Sequence, residues 1–532
     1  KALAVSAALV LAALASAALL LLPARPLAGQ AAAPRRPAPS VYDAAEVTLE
    51  VGEGRANVRS RVEATLLNKP STRYEPNWDS LMTRPLPDWF DEAKIGVFMH
   101  WGVFSVPSFK SEWYWWYLDG TPPAPEVVEF HQKNYGKDFP YSSFAPMFKA
   151  EFFDPDEWAS LFKKAGIKYT VLTSKHHEGF TNWCSKYSWN WNSCDTGPGR
   201  DLVGDLARSV RAAGLRMGLY HSIFEWFHPL YLEDKRGGFQ TRRYVDEVYY
   251  PEAIELNTQH KPDLVWSDGD WEANSSYWRS PEFLAWLYND SPNKDNVIVN
   301  DRWGHDNPPI ASGRHFGGYF SGMDRQSAST ALLSHKWESA FTLDGSSWGY
   351  SRNSPASAYL SFGDMMHRVV STVAYGGNAL INVGPTADGR IATIFQERLL
   401  QLGAWLDING EAIYGTTMWR QQNDTADLGI DRGVYYTAAK AGAAGNAAGA
   451  VYALSFGWPG DWRLRLHVPV PLPGLRVTML GCSKPMAWEP GTGDAYEGGN
   501  AAAGLTIVIP PMGLSELPSR DGPWVFKLDR VQ

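Results

Sequence analysis

Between Ile95 and Pro385, short apolar runs repeatedly break off into polar and aromatic residues. The clearest are Ile95-Gly-Val-Phe-Met-His100-Trp101, Tyr169-Thr-Val-Leu-Thr-Ser-Lys-His176-His177, Arg216-Met-Gly-Leu-Tyr220-His221, Asp263-Leu-Val-Trp-Ser-Asp268 and Asn296-Val-Ile-Val-Asn-Asp301-Arg302. A near-continuous apolar run of this length predicts a strand buried on both faces, and the polar residues at its end fall where a parallel sheet opens to solvent. Between the runs the apolar spacing becomes helical. Asp154-Pro155 opens a helix with Trp158, Leu161, Phe162 and Ala165 on one face, closed by Gly166. Asp201 caps the next, with Val203, Leu206, Ala207 and Val210 buried and Gly214 at its end. Ser280-Pro281 starts another, with Pro in the first turn, where it is tolerated. This alternation predicts a parallel β/α fold, most economically a (β/α)8-like barrel spanning residues 74–414. A doubly wound open sheet is the alternative, and the absence of a Gly-x-Gly-x-x-Gly after the first strand weighs against it.

After about Tyr414 the pattern changes to short alternating segments separated by Gly and Pro, such as Gly433-Val-Tyr-Tyr-Thr, Trp462-Arg-Leu-Arg-Leu-His-Val and Leu505-Thr-Ile-Val-Ile. They predict an antiparallel β-sandwich over residues 415–532, with the stretch from Ala438 to Ala450 as a loop. At the other end, the uncharged stretch from Ala2 to Leu22 reads as a signal peptide, set at residues 1–29, with a membrane anchor as the alternative. Residues 30–73 then form a leader and N-terminal extension. Secretory routing follows, to a lysosome-like compartment or the cell exterior.

Composition narrows the function. A chain of 532 residues, 44% hydrophobic, can bury a large core, and a net charge of −8 argues against nucleic acid as a partner. The chain carries 24 Trp, 24 Tyr and 23 Phe, with runs such as Trp113-Tyr-Trp-Trp116 and Trp189-Asn-Trp191 close to strand ends. Aromatic faces in a polar cleft suit a ligand with C–H faces and many hydroxyls, which describes a sugar. Cys184 and Cys194 could close a short loop with Cys482 buried and free, or all three could be reduced. Asn274-Ser-Ser and Asn423-Asp-Thr are glycosylation sequons.

Retaining hydrolysis of a glycoside needs two carboxyl groups about 5–5.5 Å apart. Asp268 ends an apolar run and precedes Gly269, which leaves its carboxylate accessible; the alternative is a helix cap. For the second carboxyl, Glu338 and Asp324 are candidates, with Glu112, Glu178 and Glu225 as further options. His100, His176, His177 and His221 also fall at strand ends. His176-His177-Glu178 lacks metal-ligand spacing, so they read as neutral partners for hydroxyls rather than as ligands.

The segments Phe98-Met-His100-Trp101, Ser111-Glu112-Trp113, Ser174-Lys-His176-His177-Glu-Gly, Trp266-Ser-Asp268-Gly, Asn300-Asp-Arg302-Trp-Gly, His335-Lys-Trp-Glu338, Ser347-Trp348-Gly and Gly376-Gly-Asn-Ala-Leu-Ile-Asn-Val-Gly-Pro385 closely resemble the α-L-fucosidases of glycoside hydrolase family 29, in particular the animal lysosomal type. The resemblance runs from about Tyr74 to the end. It implies the barrel-plus-sandwich architecture and an exo-acting, retaining fucosidase with no cofactor and no metal. Its substrate would be a fucosylated glycan or glycoconjugate; no membrane partner is implied beyond the signal peptide, and a homo-oligomer stays open. By the same resemblance Asp268 is the nucleophile and Asp324 the acid/base, with Glu338 as the alternative acid/base. His100, Glu112, Trp113, His176, His177 and Arg302 would hold the sugar, with Trp348 near its C5 methyl and Tyr220 beside them, His221 being the alternative to Tyr220. One departure is Ala340, where the family pattern Lys-Trp-Glu-x-Cys has Cys. A glycosidase for a related sugar such as a galactoside, and a catalytically silent lectin, are the competing readings.

Overall fold

The computed structural model describes residues 73–306, 316–321, 324–325, 332–424, 432–440, 449–491, 504–513, 515–519 and 521–532. The expected signal peptide and the leader up to residue 72 lie outside them.

The apolar runs are strands: β1 (Ile95–Met99), β2 (Tyr169–Lys175), β3 (Arg216–Ser222), β4 (Leu264–Asp268), β5 (Ile298–Val299), β6 (Glu338–Thr342) and β7 (Asn378–Val383). They pair in parallel in the order β5-β4-β3-β2-β1-β7-β6. The gap between β5 and β6 is spanned by Tyr319 and Phe320: Tyr319 N–H donates to Val299 O at 3.0 Å, Phe320 bridges Trp337 in parallel, and Glu338 N–H donates to Phe320 O at 2.8 Å. One residue pair thus stands in for an eighth strand and closes the ring. Gly318 makes this possible, because a Cβ there would lie 2.1 Å from Val299 O.

Strand alternation sends one set of side chains inward. Phe98, Tyr169, Tyr220, Trp266, Tyr319 and Leu380 form the interior cluster. The opposite set meets the helices. Helix α1 (Pro155–Lys164) is capped by Asp154, whose carboxylate accepts from the N–H groups of Asp156 and Glu157, and α2 (Leu202–Ala212) by Asp201, which accepts from Gly204 N–H. Both bury the predicted faces, although Leu161 is only half-buried. Helix α3 (Tyr250–His260) and α4 (Ser280–Asn289) follow. The latter starts from Arg279 in the left-handed region at φ 56° with no side-chain cap, so its beginning depends on Pro281 and packing. Helices α5 (Phe362–Ala374) and α6 (Thr393–Asn409) complete the layer.

The C-terminal strands form two antiparallel sheets. One has β8 (Thr416–Asp424), β9 (Val434–Ala439), β10 (Ala450–Ser455), β12 (Pro471–Met479) and β15 (Trp524–Val531); the other has β11 (Arg463–Leu466), β13 (Ala487–Pro490) and β14 (Leu505–Val508). Val451, Leu464, Ile507 and Phe526 share a core between the two sheets. The alanine-rich stretch expected as a loop from Ala438 to Ala450 starts and ends within strands, because β9 reaches Ala439 and β10 begins at Ala450. Alternation along β10 turns Tyr452 and Leu454 the other way, into the barrel's outer core. Among the cysteines, Cys184 and Cys194 are bridged, and Cys482 is free but half-buried rather than buried.

Candidate active site

The strand ends converge on one cavity of about 90 Å³. At about 30 Å³ per water in the liquid this is room for about three waters, so the cavity excludes a chain of sugars. β1 delivers His100, β2 delivers His176 and His177, β3 Tyr220, β4 Asp268, and the turn after β5 Arg302. Asp324 follows the closing pair Tyr319-Phe320, Trp348 comes from the loop after β6, and Glu112 and Trp113 from the segment after β1. Parity along β3 separates two neighbours. Tyr220 points inward and donates to Asp268 Oδ2 at 2.8 Å, whereas His221 turns outward against Ser174 and Tyr249.

Asp268 caps no helix, since the next begins at Ser275. Its Oδ2 also lies 3.5 Å from His177 Nε2, and its Oδ1 accepts from Arg302 Nη1 at 2.9 Å. Gly269 is the residue that allows this approach: it sits at φ 84°, and a Cβ would lie 2.3 Å from the Phe224 ring. Arg302 donates through its other nitrogen, Nη2, to Asp324 Oδ1 and stacks over Trp266. One guanidinium therefore holds two of the cavity's carboxylates. Burial pushes the Asp324 carboxyl up, but Arg302 beside it outweighs that and holds it below its ordinary value.

His100 and His177 are kept neutral. Burial, with His176 adjacent, pushes His100 down to about 3, and burial takes His177 well below its usual value. Hydrogen bonding fixes which nitrogen each presents. Asn382 spends its amide hydrogens on Thr342 Oγ1 and Trp348 O, so its Oδ1 accepts from His100 Nδ1 at 2.7 Å. The Ser222 hydroxyl donates to Phe224 O and therefore accepts from His177 Nδ1 at 2.6 Å. In both rings this leaves Nε2 as an acceptor. His176 Nδ1 is bound to Glu178 Oε2 at 3.2 Å.

Glu112 lines the cavity and braces it, accepting from Trp348 N–H at 3.1 Å and Gly349 N–H at 3.0 Å. Glu225 binds buried Lys175 at 3.0 Å, away from the cavity. Glu338 is also outside it. It lies inside the barrel beneath the floor, 1% exposed, with its carboxyl accepting from Tyr169 Oη at 2.6 Å, Trp266 Nε1 at 3.0 Å and Tyr319 Oη at 2.9 Å. Burial pushes it up to about 7 despite those donors.

Three lining residues, Phe98, Trp266 and Trp271, were missed as site residues by the sequence reading. Phe98 stands two positions before His100, which directly follows β1, and Trp266 two before Asp268 on β4, and alternation puts each pair on the same face. Trp271 follows the strand and carried no comparable signal. Among the described residues, no group of three or more His, Cys, Asp or Glu side chains is placed to hold a metal ion.

Two family models match the chain: "Alpha-L-fucosidase" over residues 62–411 and "Alpha-L-fucosidase C-terminal domain" over residues 422–529. An alpha-L-fucosidase of Branchiostoma floridae is 49% identical over 462 residues, covering 86% of this chain and 96% of the relative. A tissue alpha-L-fucosidase of Bos taurus is 48% identical, covering 86% and 92%. Among solved structures, the alpha-fucosidase of Thermotoga maritima in complex with fucose aligns with a TM-score of 0.68 at 33% identity, covering 86% of this chain and all of that one.

Proposed function

The chain belongs to the alpha-L-fucosidase family, and from that premise we propose that the cavity hydrolyses terminal α-L-fucosides with Asp268 as nucleophile and Asp324 as acid/base. An Asp268 carboxylate oxygen attacks the anomeric carbon as the bond to the leaving oxygen breaks, and Asp324 protonates that oxygen. A fucosyl ester on Asp268 results. Water then attacks the same carbon and gives a proton to Asp324, the ester bond breaks, and fucose leaves with its configuration retained.

The observation that carries this reading is the shared guanidinium, which bonds to both Asp268 and Asp324 where they line one small cavity. Arg302 bonds to both carboxylates. While both carboxyls are anionic, Arg302 favours the charged form of Asp324; a sugar hydroxyl that takes over part of the guanidinium's bonding frees Asp324 to carry a proton. After Asp268 is esterified, Arg302 faces a single anion, and Asp324 is restored as a base. His100 and His177 present unprotonated Nε2 atoms that accept from fucose hydroxyls, as can the Glu112 carboxylate, while the Trp113 indole N–H can donate to one and His176 lines the cavity beside them. Phe98 and Trp348 supply an apolar wall for the C5 methyl, a group that a galactoside replaces with a polar one.

The test is a 2-deoxy-2-fluoro-α-L-fucosyl donor with a good leaving group, followed by mass spectrometry of the digested protein. A single fluorofucosyl adduct on the peptide containing Asp268 is expected, together with hydrolysis of an aryl α-L-fucoside and none of an aryl galactoside. A label on another carboxylate would remove Asp268 from the role.

Routing to the secretory pathway is part of the proposal. It is supported by the Cys184–Cys194 bridge, by the exposed sequon residue Asn274 and by the names of the mammalian relatives, which include a plasma alpha-L-fucosidase of Homo sapiens at 45% identity. No helix among the described residues is long and apolar enough to cross a membrane.

A further inference from the structure

Of the described residues lining the cavity, only two are exposed: Asp324, and Trp271 at 42%. They stand on different walls. Asp324 belongs with Arg302 and Trp348, since it pairs with the first, and its neighbour Arg325 lies over the ring of the second. Trp271 belongs with Trp113 and His177. It lies nearly parallel to Trp113, at 15° and 6.3 Å, and edge-on to His177 and Phe224, each at 5.4 Å. An exposed tryptophan is by itself ordinary. This one has its plane set against three rings and lines the cavity while remaining open to solvent, as Asp324 does.

Resting on the fucosidase reading, we propose that Trp271 is the platform for the leaving group. Its bare indole face stacks on the C–H face of the sugar, or on the aryl ring, that departs with the oxygen protonated by Asp324. The indole and the carboxyl then act on the same group from two sides: one orients the ring and the other supplies the proton. The site therefore selects aglycones that carry a ring over those that do not.

The experiment compares kcat/KM for a fucosyl disaccharide with that for α-L-fucosyl fluoride, whose leaving group is a single atom. Trp271→Ala should lower the disaccharide-to-fluoride ratio about tenfold, the scale of one lost aromatic stacking contact, chiefly through KM. Trp271→Phe should recover most of it. If the alanine variant does not fold, Trp271→Gln, which keeps bulk without an aromatic face, carries the same expectation. An unchanged ratio overturns the proposal, whether both rates fall together, as they would if the indole only braced His177, or neither moves. Wild-type protein that releases no fluoride would instead overturn the fucosidase reading, an outcome that the Trp271 variants cannot imitate.

Discussion

On the proposed mechanism, removing the Asp268 carboxylate opens the anomeric carbon to a small external anion from the side it occupied. Asp268→Ala should lose several orders of magnitude in turnover and regain part of it with azide, giving β-L-fucosyl azide by a single inversion. Asp324→Ala should behave differently: rates on a disaccharide collapse while an aryl fucoside with a good leaving group suffers far less, and azide yields the α-azide through two inversions. Glu338→Ala should show no such dependence on the leaving group. Product configuration by NMR and a leaving-group series check all three, and a steep series for Glu338→Ala would exchange its role with that of Asp324. Glu338 instead has a signature in stability. With its carboxyl raised to about 7 in the fold and ordinary when unfolded, it favours the native state fully below about pH 4.5. That contribution fades as the pH rises to 7, by at most roughly 3 kcal/mol. Urea midpoints across this window should fall with pH in the wild type and flatten in Glu338→Gln. Asp268 was legible in the sequence because a strand end followed by glycine is a local pattern. The place of Glu338 beneath Trp266 was not, since it depends on which strands close around it.

At the scale of elements, the segment between β2 and α2 links covalent structure to the site. Cys184 and Cys194 close it, Trp191 Nε1 donates to Glu178 O at 2.9 Å, and Glu178 holds His176. The double variant Cys184→Ser, Cys194→Ser should lose about 2–3 kcal/mol of stability, as expected for a short loop, and should raise KM because the His176-His177 turn loosens. Thermal melts and KM measured with and without reductant check this; wild-type protein indifferent to reductant in both would refute it. The capped helices α1 and α2 were readable because an Asp at the cap and a helical stripe are both local signals. The start of α4 was readable only in part, since Pro281 marks it whereas the left-handed Arg279 leaves no trace in composition. The two cysteines could be named as a pair, but only packing decided that they meet.

Over the whole molecule, barrel and sandwich share a core. Tyr452, Leu454 and Val525 pack into the barrel's cluster, Trp405 Nε1 donates to Pro523 O at 2.8 Å, and Lys440 reaches Asp91. A chain ending at residue 414 would expose that apolar surface and should be insoluble or inactive; recovery of a soluble, fully active fragment by size exclusion and assay would show the two halves to be independent. The two-part plan was visible in the change of hydrophobic period near Tyr414, whereas the sharing of one face of β10 was not, because both faces of that strand read as apolar. The ring itself is uneven. Among the described residues seven of its eight positions are strands, while the last rests on Tyr319 and Phe320, and Asp324 lies only four residues beyond that joint. A pairing carried by a loop opens locally at less cost than one between longer strands. Warming should therefore silence the enzyme in two stages: a reversible loss of turnover while the far-UV signal is still native, and then the collapse of the whole, so that the working ceiling of this catalyst is set by its seam rather than by its melting point.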